Sequence, residues 1–137
     1  MKVVKTYEIE EDYCSFEVAK LLKEKGVSFE LNPYNSISYL PNGEINYWED
    51  DEDCVISPPL QMVMKYLRIF YKIEIIIDVC KYGKECKIMY SWTPVIIEKR
   101  SLGYPISQQD GSVFGGFCQT YEESVESGIK YCLENLV

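Results

Sequence analysis

The sequence predicts a single α+β domain over residues 1–137, an antiparallel or mixed β-sheet with three amphipathic helices packed mainly on one face. Segments at about 16–25, 58–71 and 121–135 carry apolar residues at helical spacing behind capping residues. Short runs rich in Ile, Val and Tyr lie between them, joined by turn signals such as Pro41-Asn42-Gly43 and Lys81-Tyr82-Gly83. Hairpin turns between successive runs favour antiparallel pairing over a doubly wound parallel sheet.

Taken in order, Val3–Ile9 alternates weakly and reads as a strand. Ser15 is placed to cap a helix from Phe16 to about Lys25, with Gly26 at the C′ position. Val18, Ala19, Leu21 and Leu22 make its apolar face. Strand-like runs follow at Val27–Leu31 and Tyr34–Leu40, and Glu44–Trp48 returns after the Pro-Asn-Gly turn. Ser57-Pro58-Pro59 reads as an N-cap with proline in the first turn of the second helix. Leu60, Val63, Met64, Leu67 and Tyr71 then recur as a core-facing stripe. Ile73–Cys80 and Cys86–Trp92 form a hairpin in which Cys80 and Cys86 flank the turn, and Pro94 interrupts the second strand, implying an edge, a bulge or a fresh strand to Ile97. Residues 99–119 are loop-like, with a short strand near Val113–Cys118. Thr120 and Glu123 make a capping box for the last helix, whose buried stripe is Val125, Ile129, Cys132, Leu133 and Leu136.

Composition removes several function classes. The chain has no histidine, the usual general base near neutral pH and the commonest metal ligand. Its six cysteines fit no zinc spacing. The N-terminal residues lack the apolar core of a secretory signal, and no run is long enough to cross a bilayer. The expected setting is therefore cytoplasmic, with free thiols. No metal, cofactor or catalytic residue is expected. Twelve tyrosines stand against five Phe and two Trp, which suits half-buried strands and contact surfaces.

Net charge is −8, unevenly spread: residues 1–64 sum to −8, residues 65–100 to +4 and residues 101–137 to −4. The acidic total disfavours nucleic acid as a partner, while the central third leaves room for an anion site. The polar stripe of the second helix, Gln61, Lys65, Arg68 and Lys72, has only positive charges. Five consecutive acids at 49–53 lack the glycine and spaced oxygens of a calcium loop and read as a solvated loop.

The segments SFEVAKLLKEKGVSFE (15–30), SPPLQMVMKYLRIFYKIEIII (57–77) and TYEESVESGIKYCLENLV (120–137) resemble those of short uncharacterised α+β proteins of gut Bacteroides and of their phages and mobile elements. In that group a KLLKEKGF helix, an APT…WLRE…IHI helix–strand unit and a terminal YEEAxExALKxxLE helix recur in this order. The chain departs from the pattern at Tyr66-Leu67-Arg68-Ile69 and at Lys72-Ile73-Glu74-Ile75, which carries no histidine. The shared residues are core and cap positions, so the resemblance implies a fold and a setting, and transfers no catalytic residue. Phage accessory proteins are often binders, either inhibitors of host enzymes or sponges for nucleotide immune signals.

Three functions follow as expectations. The first is a non-enzymatic binding protein of phage type, acting in the host cytoplasm, that sequesters a small anionic, nucleotide-like ligand. Lys65, Arg68 and Lys72 would hold phosphates, and Tyr66, Tyr82, Tyr90 or Trp92 would stack on a base. The second is an acidic protein–protein interaction module that inhibits a host protein through residues 49–53 and the tyrosines of the 34–48 hairpin. The third is a histidine-independent enzyme built on carboxylates or a cation-activated cysteine. No membrane partner is expected, and a homo-oligomer is compatible with each binding reading.

Overall fold

The computed structural model describes residues 1–3, 12–29, 37–46, 53–97 and 117–137. It shows three helices and two small antiparallel sheets, an α+β fold. The elements run α1 (Phe16–Glu24), β1 (Ile37–Tyr39), β2 (Val55–Ser57), α2 (Leu60–Tyr71), β3 (Ile73–Tyr82), β4 (Lys87–Ile96) and α3 (Tyr121–Asn135). The β-structure is thus split into two two-stranded sheets, β1–β2 and β3–β4, where one sheet was expected. The expected strand at 3–9 falls almost wholly outside the described residues, as do the loop at 99–116 and residues 49–52 of the acidic run.

The caps read from the sequence form at two helices. Ser15 Oγ accepts the Val18 N–H at 3.3 Å, and Gly26 takes the left-handed conformation after α1, at φ 75°. Thr120 Oγ1 accepts the Glu123 N–H at 3.1 Å, while the Glu123 carboxylate reaches back to the Gln119 N–H at 3.2 Å.

At α2 the expectation is corrected. The helix begins at Leu60, and Ser57 is not its cap but the last residue of β2, paired with Ile37. A residue that precedes proline is driven out of the helical region, so both Ser57 and Pro58 stay extended. The Ser57 hydroxyl donates to the Cys14 carbonyl instead, and the Leu60 N–H donates to the Asp12 carbonyl at 2.9 Å. Residues 27–29 form no strand. The Pro41-Asn42-Gly43 turn does form, with Gly43 at φ 91°, and leads to a single bridge between Tyr39 and Ile45.

β3 and β4 pair over ten residues, from Ile73↔Ile96 to Tyr82↔Lys87. Of the alternatives at Pro94 the edge is the one found: the ladder runs through it without a break, and the reason is legible in the pairing. Tyr90 exchanges both backbone hydrogen bonds with Cys118 on the outer side of β4. By the alternation of an antiparallel pair, the nitrogen of Pro94 also points outward, so no bond to β3 is lost. Cys80 lies opposite Met89, while Cys86 sits in the turn at φ 52°, so the two thiols do not face each other.

Ile73, Ile75 and Trp92 share one face of this hairpin, and the buried stripes of all three helices meet it in one core. Leu22, Leu67, Ile129 and Leu133 are all but fully buried there, each contributing about 1.5–3 kcal/mol relative to exposure. Gly128 lets α3 approach closely: a Cβ at that position would lie 2.8 Å from Ile75 Cγ2.

Candidate binding surface

α2 reads LQMVMKYLRIFY, and its residues divide into three sectors around the helix axis. Leu60, Val63, Met64 and Leu67 form the first and are buried in the core. Gln61, Lys65 and Arg68 form the second, extended by Lys72 just past the helix end. Met62, Tyr66, Ile69 and Phe70, at i, i+4, i+7 and i+8, form the third. This last sector is apolar yet open to solvent: Met62 is 40%, Ile69 49% and Phe70 70% exposed. An amphipathic helix ordinarily buries one apolar stripe and solvates the rest. This helix has a second stripe with water on it.

Within the basic sector the cations differ in freedom. Arg68 Nε pairs with Glu74 Oε2 at 2.9 Å. Lys72 ends the helix in the left-handed conformation, φ 57°, and its Nζ donates to the Ile69 carbonyl at 2.9 Å. Lys65 is exposed and carries no ion pair among the described residues. Gln61 Nε2 donates to Tyr121 Oη at 3.4 Å. The helix has no acid of its own.

The Tyr66 ring is half-buried at the border of the open stripe, 5.8 Å from Phe29, 5.1 Å from Phe70 and 5.7 Å from Tyr71, centroid to centroid. Burial, helped by a hydrogen bond and proximity to Tyr71, pushes its hydroxyl up to about 12. These rings form a continuous aromatic edge beside the cations.

Of the expected site residues, Lys65 and Arg68 lie in the basic sector of α2, Lys72 caps its C-terminal end, and Tyr66 lies in the adjoining apolar sector. Trp92 is not with them. It is 9% exposed, packed on Tyr131 at 5.3 Å and against Gly128, because it falls opposite Ile77 on the face the helices cover. It is core and offers no ring to a ligand. Tyr90 bridges to Cys118 and packs edge-on against Tyr121. Tyr82 closes β3 opposite Lys87, and its side chain lies outside the described residues. The sequence reading missed Met62, Ile69 and Phe70. Their signal is a second i, i+4, i+7, i+8 stripe in a helix whose first stripe alone suffices for a core-facing element.

Elsewhere, a shallow groove of about 310 Å³ lies at the β3–β4 turn, lined by Gly83, Lys84, Glu85, Lys87, Met89 and Gln119. Glu85 offsets one of its two lysines. Burial pushes the Cys14 and Cys132 thiols up, Cys132 to about 12, away from nucleophilic use. Among the described residues no group of three or more Cys, Asp or Glu is placed to hold a metal ion, and no helix is long and apolar enough to cross a membrane. Comparison with protein families, with curated proteins and with solved structures finds no match to this chain.

Proposed function

We propose that this chain acts by non-covalent capture of an anionic ligand, in the setting its phage-like resemblance implies: the host cytoplasm, as an accessory protein that sequesters rather than converts. The observation that carries the reading is the basic sector of α2. Lys65 and Lys72 stand exposed beside the Tyr66–Phe70–Tyr71 edge, with no acid on the helix to neutralise them. Cations supply attraction to carboxylate or phosphate, and aromatic faces supply contact area at low entropy cost. The shielded thiols Cys14 and Cys132 lend no support to a cysteine nucleophile.

The test is a thermal-shift screen of the full chain against inorganic pyrophosphate, nucleotides, cyclic oligonucleotides and acidic peptides. A ligand present at 100 times its Kd stabilises the fold by about 2.7 kcal/mol, several degrees in Tm. The variant Lys65→Gln/Lys72→Gly, in which glycine keeps the left-handed turn, is expected to lose that shift. A hit unaffected by the variant would remove α2 as the site. A hit returned chemically changed would replace capture by catalysis.

A further inference from the structure

We infer that the anionic partner of α2 is a protein, an acidic amphipathic helix that lies along the Met62–Tyr66–Ile69–Phe70 stripe with its acids toward Lys65 and Lys72. The inference rests on the capture reading above and adds the partner's class.

Shape is the first argument. The cations and aromatic rings sit on the outside of a helix, a convex surface. Small-molecule sites are concave and bury most of the ligand. A nucleotide laid on this face would keep most of its own surface in water. A second helix meets a convex helix face well, because side-chain ridges of one fill grooves of the other.

Spacing is the second argument. The exposed apolar residues recur with helical period over two turns and lie beside the buried stripe rather than scattered over the surface. Scattered apolar residues are ordinary, whereas a contiguous open stripe marks an interaction site. The i, i+4, i+7 pattern is the one by which helices anchor to one another.

Charge is the third. Every charge on α2 is positive, so the flank of the stripe calls for acids on the partner. Antiparallel, two-fold pairing of two copies along this stripe would set the basic flank of one against the same flank of the other, with no acid on either helix to relieve it. Nucleic acid has no use for Met62 and Ile69, and the chain's net −8 opposes it.

The test is selection of 16-residue peptides from a display library on the immobilised full chain. Enriched peptides are expected to carry Asp or Glu flanking an apolar stripe of helical period. Their affinity should fall at least about ten-fold with Ile69→Ser/Phe70→Ser and also fall as NaCl is raised. Both residues are exposed, so the variant leaves the core intact, which matched unfolding midpoints would verify. Failure to enrich such peptides, or enrichment indifferent to that variant, overturns the inference. Pyrophosphate or nucleotide binding that needs Lys65 and Lys72 but not Ile69 and Phe70 overturns it while leaving the capture reading in place. Binding to vesicles containing anionic lipid, or a dimer dissolved by Ile69→Ser/Phe70→Ser, names a different occupant and overturns it too. Binding of any probe that survives Lys65→Gln/Lys72→Gly unweakened removes the capture reading itself.

Discussion

Gly128 shows what a single missing methyl does in this core. Its position in α3 faces Ile75 and Trp92, and an added Cβ would meet Ile75 Cγ2 at 2.8 Å and Trp92 at 3.5 Å. Alanine in a helix interior gains about 1 kcal/mol over glycine. Forcing a methyl group into a filled core costs about 1–3 kcal/mol. Ile75 is 4% exposed and held opposite the rigid ring of Pro94, so it has little room to yield and the packing term wins. Gly128→Ala is expected to destabilise by about 1 kcal/mol, read as a lower urea midpoint at unchanged slope. A midpoint at or above that of the parent would show that α3 can ride outward on the sheet. The close approach at this glycine was legible from its place beside the buried stripe of α3. Its neighbours were not, because register between β3 and β4 decides that Ile75 and Trp92 share the face beneath it.

At the scale of elements, α2 is the helix on which sequence and structure part most. Its basic stripe and most of its core stripe were readable from spacing alone, while Tyr71, expected in the core stripe, is exposed at the helix end. Its start was displaced by two prolines whose steric effect acts on the residues before them, and by the pairing of Ser57 with Ile37. Its end rests on Lys72, a lysine held at φ 57°. A side chain bearing Cβ in that conformation costs about 1–2 kcal/mol, part of which glycine would return as extra entropy of the unfolded chain. Lys72→Gly is therefore expected to raise stability by about 0.5–1 kcal/mol while lowering affinity for an anionic partner. Denaturant unfolding and a binding titration on the same variant read the two effects separately. If stability fell, the Lys72–Ile69 carbonyl contact would be contributing more than the strained turn costs. In the hairpin, Pro94 allowed an edge, a bulge or a fresh strand, and the choice of the edge depends on which residues of β4 face β3, the nitrogen of Pro94 lying on the outer side.

Over the whole molecule, electrostatics should set the fold and its contact surface in opposition. Acids outnumber Lys and Arg by 22 to 14, so the compact state works against its own charge. Among the described residues the recorded ion pairs are Arg68–Glu74 and Lys130–Glu17, both between partly or largely exposed side chains, and pairs of that kind contribute little. Repulsion spread over many carboxylates then outweighs attraction in a few bridges, and added salt screens both. The class of fold was legible at this scale because alternating caps, stripes and turns survive any arrangement of the sheets. The division of the strands into two sheets was not, since pairing between distant segments leaves no local mark. Nor was the burial of Trp92, which follows from the hairpin register. Of the candidate surface only the basic sector and Tyr66 were legible, because charge can be counted along a chain while the exposure of Met62, Ile69 and Phe70 depends on what covers them. Raising NaCl from about 0.02 M to 0.3 M at pH 7 shortens the Debye length from roughly 20 Å to under 10 Å. The urea midpoint should rise across that range, while affinity for an acidic partner on α2 falls. A midpoint that dropped with salt would mean that attractive pairs dominate the fold, and an affinity indifferent to salt would mean that the apolar stripe, not Lys65 and Lys72, carries the contact.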